Sequence, residues 1–306
     1  MTFMDLATMS STAPKGPTVL CLGDFDGVHR GHQRLIEETK AVKQALAHVY
    51  PDVRCGAWFF TDSPKSGARL TTAREKCRLF AEMGLDLAVT ADFDDMKGLS
   101  PMAFVKDVLQ RECGCVWAVC GFNFRFGQGA VGQPQDLCDL FDSKASVVPP
   151  VCHNGEPISS TAIRECLREG DVETATALLG HPFSLTAPIT HGNHIGHTIG
   201  IPTINQGFPQ GKLLPARGIY ASCIQVNGQT LFGVSNVGTK PTVNTGDAVN
   251  CETHILDFDG DLYGLIATVS FLHRLRNEQK FDTLSDLQQQ IERDIRRAKA
   301  LFAQSN

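Results

Sequence analysis

Residues 18 to 32 read TVLCLGDFDGVHRGH. An apolar run, Thr18 to Leu22, gives way to ten positions holding three glycines, two aspartates and two histidines, and a helical pattern follows. A short strand handing over to a helix through a glycine-rich turn is a unit of an open parallel sheet, where ligands sit beyond the carboxyl ends of the strands. Glycine lets the backbone turn tightly and approach a ligand closely. The helix that follows offers free N–H groups and a partial positive end, which together attract an anion. His29 and His32 are three apart and can share one face of the first turn. Each can donate a hydrogen bond to phosphoryl oxygens, where charge develops during displacement. A plain glycine turn with two surface histidines is the competing reading; the place after a strand favours the phosphate site.

Outward from this stretch, residues 18 to 180 alternate strand and helix patterns. Leu35, Ile36, Thr39, Val42, Leu46 and Val49 recur at helical spacing. Strands are expected at Gly56–Phe60, Leu87–Thr90, Val116–Cys120 and Ser146–Val148, with helices at Thr72–Met83 and Pro101–Gln110. Such alternation predicts a parallel sheet covered on both faces. Beyond about residue 182 the texture changes. Gly218–Val226 and Thr230–Val237 flank Asn227-Gly228, a strong hairpin signal. His254–Phe258 and Leu265–Leu272 around Asp259-Gly260-Asp261 read as a second hairpin, so an antiparallel sheet that can close into a small barrel is expected. Asp257, Asp259 and Asp261 are read as that turn, because the later glutamate of a calcium loop is missing. A terminal amphipathic helix is predicted, capped by Ser285, with Leu287, Ile291, Ile295, Ala298 and Leu301 as its apolar stripe. The expected organisation is a tail over 1–17, one domain over 18–182 and a second over 183–306.

The chain has 306 residues, 42% of them hydrophobic and 20% charged, which suits two ordinary globular domains. A net charge of −5 leaves no basic footprint for nucleic acid as the main partner. The eleven cysteines are scattered and mostly inside apolar runs, as reduced core thiols of a cytoplasmic protein would be. The spacing of Cys113, Cys115 and Cys120 fits common zinc ligand patterns poorly. Residues 1 to 16 lack the basic start and apolar core of a secretory signal, and the apolar runs fall far short of the ~20 residues needed to cross a bilayer. A soluble cytoplasmic protein without a membrane partner is expected.

Three further stretches carry chemistry. ISSTAIRECL, 158–167, leads hydroxyls into a helix, with Ser159 or Ser160 as the cap and Arg164 as a permanently charged fork for phosphate oxygens. HGNHIGHTIGIPTINQ, 191–206, interleaves glycines with polar donors, weak evidence for phosphate binding when taken alone. CETHILDFDGDLYG, 251–264, places Glu252 at the head of a strand, where a bland exposed carboxylate is the better reading of that residue by itself. Phe258, Tyr263 and Phe271 read as core, given strand alternation.

The H-x-G-H pattern resembles the signature of the nucleotidylyl transferases. GDFDGVHRGHQ, GFNFRFGQGAVG (121–132), ISSTAIR and the C-terminal half together resemble the prokaryotic bifunctional riboflavin kinase and FAD synthetase family over roughly residues 18 to 300. The resemblance implies a Rossmann-like α/β nucleotidyltransferase domain that adenylylates FMN with ATP, releasing pyrophosphate. It also implies a β-barrel kinase domain that makes FMN from riboflavin and ATP. It implies that His29 and His32 face the ATP phosphates, with Gly23, Phe25, Asp26, Gly31, Asn123, Ser159, Ser160, Thr161 and Arg164 completing the nucleotide site. In the kinase half it implies Gly192, Gly196, Pro202, Thr203 and Asn205 toward ATP, with Thr203 and Asn205 as oxygen ligands of Mg²⁺. It implies Glu252 as general base, and Asn236, Arg276 and Glu278 beside the flavin.

Four positions depart from the family pattern. Ser63 stands in FTDSP (60–64) where histidine is usual, His197 and Lys240 replace arginines, and Ile204 replaces alanine in the Pro-Thr-Ala-Asn motif. The Ser63 change keeps open a live kinase with an impaired adenylyltransferase. A flavin-binding sensor without turnover, and a transferase for another nucleotide, are more distant alternatives.

Overall fold

The computed structural model describes residues 1–5, 16–61, 67–191, 201–240 and 248–304. The chain forms two compact units. One comprises Met1–Gly67 and Thr71–Ser159, the other Ala68–Leu70 and Ser160–Asn306.

The first unit is built on a parallel sheet. Its strands are β1 (Thr2–Asp5), β2 (Thr18–Leu22), β3 (Arg54–Phe60), β4 (Leu87–Ala91), β5 (Cys115–Gly121) and β6 (Ala145–Val148), in the order β1-β4-β3-β2-β5-β6. All five residues of β2 are buried, because both faces of the sheet are covered. Val19 and Cys21 pack with Leu35, Ile36 and Phe80 from helices α1 (Arg30–Leu46) and α2 (Ala73–Glu82). Leu20 and Leu22 face the opposite way, onto Phe104, Val105, Val108 and Leu109. Strand β2 is flanked by β3 on one side and by β5 on the other, so the chain reverses its direction of travel across the sheet between β2 and β5. The remaining helices of this unit are the turn α3 (Phe93–Met96), α4 (Pro101–Ala103), which continues as a π-helix over Phe104–Glu112, and α5 (Pro134–Leu140). A two-stranded hairpin, β7 (Cys152–His153) with β8 (Glu156–Pro157), follows β6.

Three local expectations are corrected here. Residues 2–5, assigned to the tail, pair in parallel with Leu87–Thr90 and extend the sheet at its edge, where β4 offers unpaired backbone groups. The helix expected at 101–110 is a short α-turn running into a π-helix that ends when the Cys113 N–H reaches the Val108 carbonyl at 3.0 Å. Val49 lies beyond the end of α1 and is 54% exposed.

The second unit is an antiparallel barrel of β9 (Ser184–Pro188), β10 (Ile204–Gly207), β11 (Gly218–Val226), β12 (Gln229–Lys240), β13 (Ala248–Ile255) and β14 (Ile266–Arg276), ordered β10-β13-β12-β11-β14-β9. The two edge strands nearly close it. The Asn205 carbonyl accepts from the Thr190 N–H at 2.8 Å, and the buried Gln206 amide donates to the Ala187 and Ala267 carbonyls at 2.7 and 2.9 Å. Asn227 (φ 48°) and Gly228 (φ 75°) make the expected two-residue turn between β11 and β12, both in the left-handed region that such a turn requires. The expected second hairpin is not formed. Strand β13 pairs with β12 and β10, whereas β14 pairs with β11 and β9, so residues 256–265 cross from one part of the barrel to another.

Helices α6 (Ser160–Glu169) and α7 (Val172–Leu179) belong to this second unit, where Arg274 of β14 donates to the Glu169 carbonyl at 3.0 Å. The terminal helix α8 (Leu284–Gln304) lays Ala298 and Phe302 against Ile219, Ala221 and Val234. Its cap is Thr283, whose hydroxyl accepts from the Asp286 N–H at 3.1 Å, rather than Ser285, which lies inside the helix. Among the described residues no helix is long and apolar enough to cross a membrane.

Candidate active sites

The reversal between β2 and β5 is where an open parallel sheet leaves a crevice for a ligand. The GDFDGVHRGH stretch leaves β2 at that point, and the turn carrying Asn123 leaves β5 beside it, closed by Phe124 N–H to Gly121 O at 3.0 Å. His29 is the N-cap of α1, with extended backbone. Its Nδ1 accepts from the His32 N–H at 3.4 Å, and the two rings stack at 3.7 Å with 19° between their planes. The helical spacing thus brings both imidazoles together over the first turn of α1. Gly31 makes room for this: a Cβ there would lie 3.0 Å from His29 Cε1 and 3.1 Å from Nδ1. Gly23 does the same for the fully buried Phe25, whose ring would lie 3.2 Å from a Cβ at 23 and sits 5.1 Å from that of His32.

The loop between β2 and α1 is held from α2 and from the residue just before its cap. Thr71 N–H donates to Asp26 Oδ1 at 3.1 Å, and Thr71 Oγ1 accepts from Gly27 N–H at 2.9 Å. Lys76 Nζ donates to the Asp24 carbonyl at 2.6 Å. The sequence reading missed Thr71 and Lys76, because their partners lie more than forty positions away.

Ser159 closes the first unit at the cap position of α6, while Ser160, Thr161 and Arg164 lie on α6 in the second. Arg164 Nε donates to the Ala68 carbonyl at 2.9 Å. Cys113, Cys115 and Cys120 are core thiols, and burial pushes Cys115 and Cys120 up to about 12 and Cys113 higher still.

In the barrel, strand register assembles residues that are far apart in sequence. Asn205 of β10 stands directly opposite Glu252 of β13, which stands opposite Asn236 of β12. Directly opposed residues share a face of the sheet, so the three form one row. The alternate residues Cys251, Thr253 and Ser235 point the other way, into the barrel core. Asn205 Oδ1 accepts from Asn250 Nδ2 at 3.0 Å. The Glu278 carboxylate and the Asn236 amide both border Gly238, where a side chain would collide with Glu278. Arg276, at the end of β14, grips the buried Asp294 of α8 through Nε at 3.0 Å and Nη2 at 2.8 Å.

An open cleft of about 280 Å³ is lined by Pro202, Thr203, Thr253, Phe258, Asp261 and Tyr263, among others, and includes none of the three residues of the row. His254 Nδ1 donates to the Pro202 carbonyl at 2.9 Å and fixes one rim. The Tyr263 ring stacks on His191 at 3.9 Å. Phe271 is core as expected, but Phe258 and Tyr263 line the cleft; they lie in the crossing segment, where strand alternation does not apply. Gly192, Gly196 and His197, like Ser63, lie outside the described residues, as does the side chain of Lys240.

The chain matches the family model described as FAD synthetase over residues 11–162 and that described as riboflavin kinase over residues 179–302. It is 36% identical to the bifunctional riboflavin kinase/FMN adenylyltransferase of Escherichia coli strain K12, covering 95% of each chain. It is 32% identical to the protein of that name from Bacillus subtilis strain 168, covering 94% of this chain and 93% of the relative. A solved structure titled as a macrolide-efflux protein from Streptococcus pneumoniae superposes with a TM-score of 0.86 at 27% identity, over 97% of this chain and 98% of that one. With both family models matched in order and relatives aligned along nearly the whole length, the chain belongs to the bifunctional riboflavin kinase/FMN adenylyltransferase family.

Proposed function

We propose that this protein phosphorylates riboflavin with ATP to FMN in the region 183–306 and adenylylates FMN with a second ATP to FAD in the region 18–182, releasing pyrophosphate. The observation that carries the reading is the coexistence of two differently built sites in one chain of this family. One is a histidine pair at a helix tip on the sheet's reversal point; the other is a Glu-Asn-Asn row across three strands of a barrel. Both reactions are displacements at phosphorus, where catalysis is positioning and stabilisation of charge.

In adenylyl transfer, the His29 and His32 rings and the first N–H groups of α1 face the triphosphate, and Gly23, Phe25, Asp26 and Gly31 shape the loop that presents them. Asn123 approaches the reacting groups from the β5 side. On the family resemblance, Ser159, Ser160, Thr161 and Arg164 hold phosphate oxygens. In phosphorylation, Glu252 takes the proton of the attacking ribityl hydroxyl, Asn236, Arg276 and Glu278 hold the flavin, and Gly192, Gly196, Pro202, Thr203 and Asn205 hold ATP. The Thr203 hydroxyl and Asn205 amide are hard oxygen donors suited to Mg²⁺, which neutralises charge on the phosphates when bound. Among the described residues no group of three His, Cys, Asp or Glu could hold a metal. Mg²⁺ ordinarily keeps several waters and substrate phosphate oxygens among its ligands, so two neutral protein oxygens suffice. Reduced thiols and soluble substrates suit work in the cytoplasm.

The division of labour is tested by two substitutions. Glu252→Gln is expected to lower FMN formation about 10²–10⁴-fold and to leave FAD formation from supplied FMN intact. His32→Ala is expected to do the reverse. If either change silenced both reactions in folded protein, separate sites would be ruled out. FMN supplied with ATP and Mg²⁺ but yielding no FAD would instead favour a kinase whose adenylyltransferase is disabled, as Ser63 would allow.

A further inference from the structure

Between β2 and α1 the backbone enters the left-handed region at three of the four residues 25–28: Phe25 (φ 53°), Gly27 (φ 84°) and Val28 (φ 42°). For phenylalanine, and still more for β-branched valine, this conformation is unfavourable, and it persists only where the surroundings over-determine it. Much of that determination comes from one short segment, Thr71 to Phe80. Thr71 holds Asp26 and Gly27 through its own N–H and hydroxyl, at 3.1 and 2.9 Å. Lys76 holds the Asp24 carbonyl at 2.6 Å, with Asp24 Oδ1 at 3.7 Å, and its ammonium lies over the Phe59 ring at 5.2 Å. Phe80 meets the Phe25 ring edge to face at 5.3 Å. The segment is itself rigid at its start, where Thr72 and Glu75 form a reciprocal cap.

Thr71 and Lys76 are 5% and 2% exposed. A buried ammonium is costly, and a methionine would fill much of the same space without taking a charge out of water, so packing alone does not call for lysine. What the lysine adds is a directed bond to the backbone of the loop that ends in His29.

We propose that Thr71 and Lys76 are positioning residues for adenylyl transfer, holding residues 24–27 in the strained shape that sets the stacked His29 and His32 rings at the tip of α1. The inference rests on the adenylyltransferase reading of that site. Displacing a catalytic group by about 1 Å from a distance can cost about 10²-fold in rate, which sets the scale of the expected effect.

The test uses the full chain and measures both reactions on each variant. Thr71→Val and Lys76→Met are expected to lower kcat for FAD formation about 10- to 100-fold, with the KM for FMN within about twofold. Riboflavin phosphorylation by the same molecules should stay within about twofold, which reports that they are folded. Thr71→Ser, which keeps the hydroxyl, should stay within about threefold of wild type. Equal FAD formation by wild type and Thr71→Val would overturn the proposal, as would equal loss in both reactions or a serine variant as damaged as the valine one. Should Lys76→Met fail to fold, the Thr71 pair decides the matter. A wild-type protein that made no FAD from FMN would instead remove the adenylyltransferase reading, and this proposal with it.

Discussion

Gly31 shows how much a single residue decides. Inside a helix glycine is disfavoured by roughly 0.5–1 kcal/mol relative to alanine, so stability alone would select against it. Its place in the first turn of α1 is explained by the His29 ring, which occupies the space of the missing Cβ. Gly31→Ala is therefore expected to leave the melting temperature unchanged or slightly raised while FAD formation falls about tenfold or more. Calorimetry and the adenylylation assay on the same preparation check both halves. A variant as active as wild type would mean that the ring position is unimportant. The two histidines and the glycine between them were legible in the sequence because helical spacing is local. The Asn205–Glu252–Asn236 row was not, since its members are brought together by the pairing of three strands that no local pattern specifies. Their individual roles were reached only through the family resemblance.

At the scale of elements, two of the charged ties between secondary structures carry testable consequences. Asp86, between α2 and β4, accepts from Lys43 of α1 at 2.6 Å and from the Cys55 N–H of β3 at 2.8 Å. Burial alone pushes its carboxyl up, but Lys43 and Cys55 together outweigh this and hold it below the usual carboxylate range. A carboxyl held low stabilises the fold above its unfolded pKa, and that stability is lost as pH falls through the lower folded value. Acid unfolding of wild type should therefore steepen below about pH 4, and Asp86→Asn should flatten that limb while lowering stability at neutral pH. A variant with the wild-type acid limb would remove the tie from the account. The second tie is Arg276 to Asp294, which fastens α8 to the end of β14. Both side chains are largely buried, so Asp294→Ala leaves an uncompensated cation and should cost about 3–5 kcal/mol, read by denaturant unfolding. Because Arg276 stands near the proposed flavin site, the KM for riboflavin should rise as well.

Elements also show where sequence patterns mislead. The Asp259-Gly260-Asp261 turn signal is real, but the strands on either side of it join different neighbours, because the barrel is ordered by long-range pairing rather than by succession along the chain. That misassigned hairpin is also why Phe258 and Tyr263 were taken for core. Strand β2 and the Asn227-Gly228 turn were legible, being settled by four consecutive buried apolar residues in one case and two left-handed positions in the other.

For the whole molecule, the composition and the break in texture near residue 180 pointed to two different architectures in one chain, a parallel sheet and an antiparallel barrel, and both are present. The two units divide at Ser159/Ser160, so α6 and α7 go with the barrel unit, although the hydroxyls at the start of α6 were read as part of the nucleotide site of the other. Sequence patterns do not reveal such an allocation, because it depends on tertiary partners such as Arg274 with Glu169.

The central claim is that this one chain carries riboflavin through to FAD at two ATP-using sites. The most direct measurement is a time course with wild-type protein, riboflavin, ATP and Mg²⁺, with FMN, FAD and pyrophosphate followed separately. FMN should rise first and then be converted to FAD, with one pyrophosphate released for each FAD formed. FMN that accumulates with no FAD, or riboflavin left unconsumed by folded protein, would contradict it.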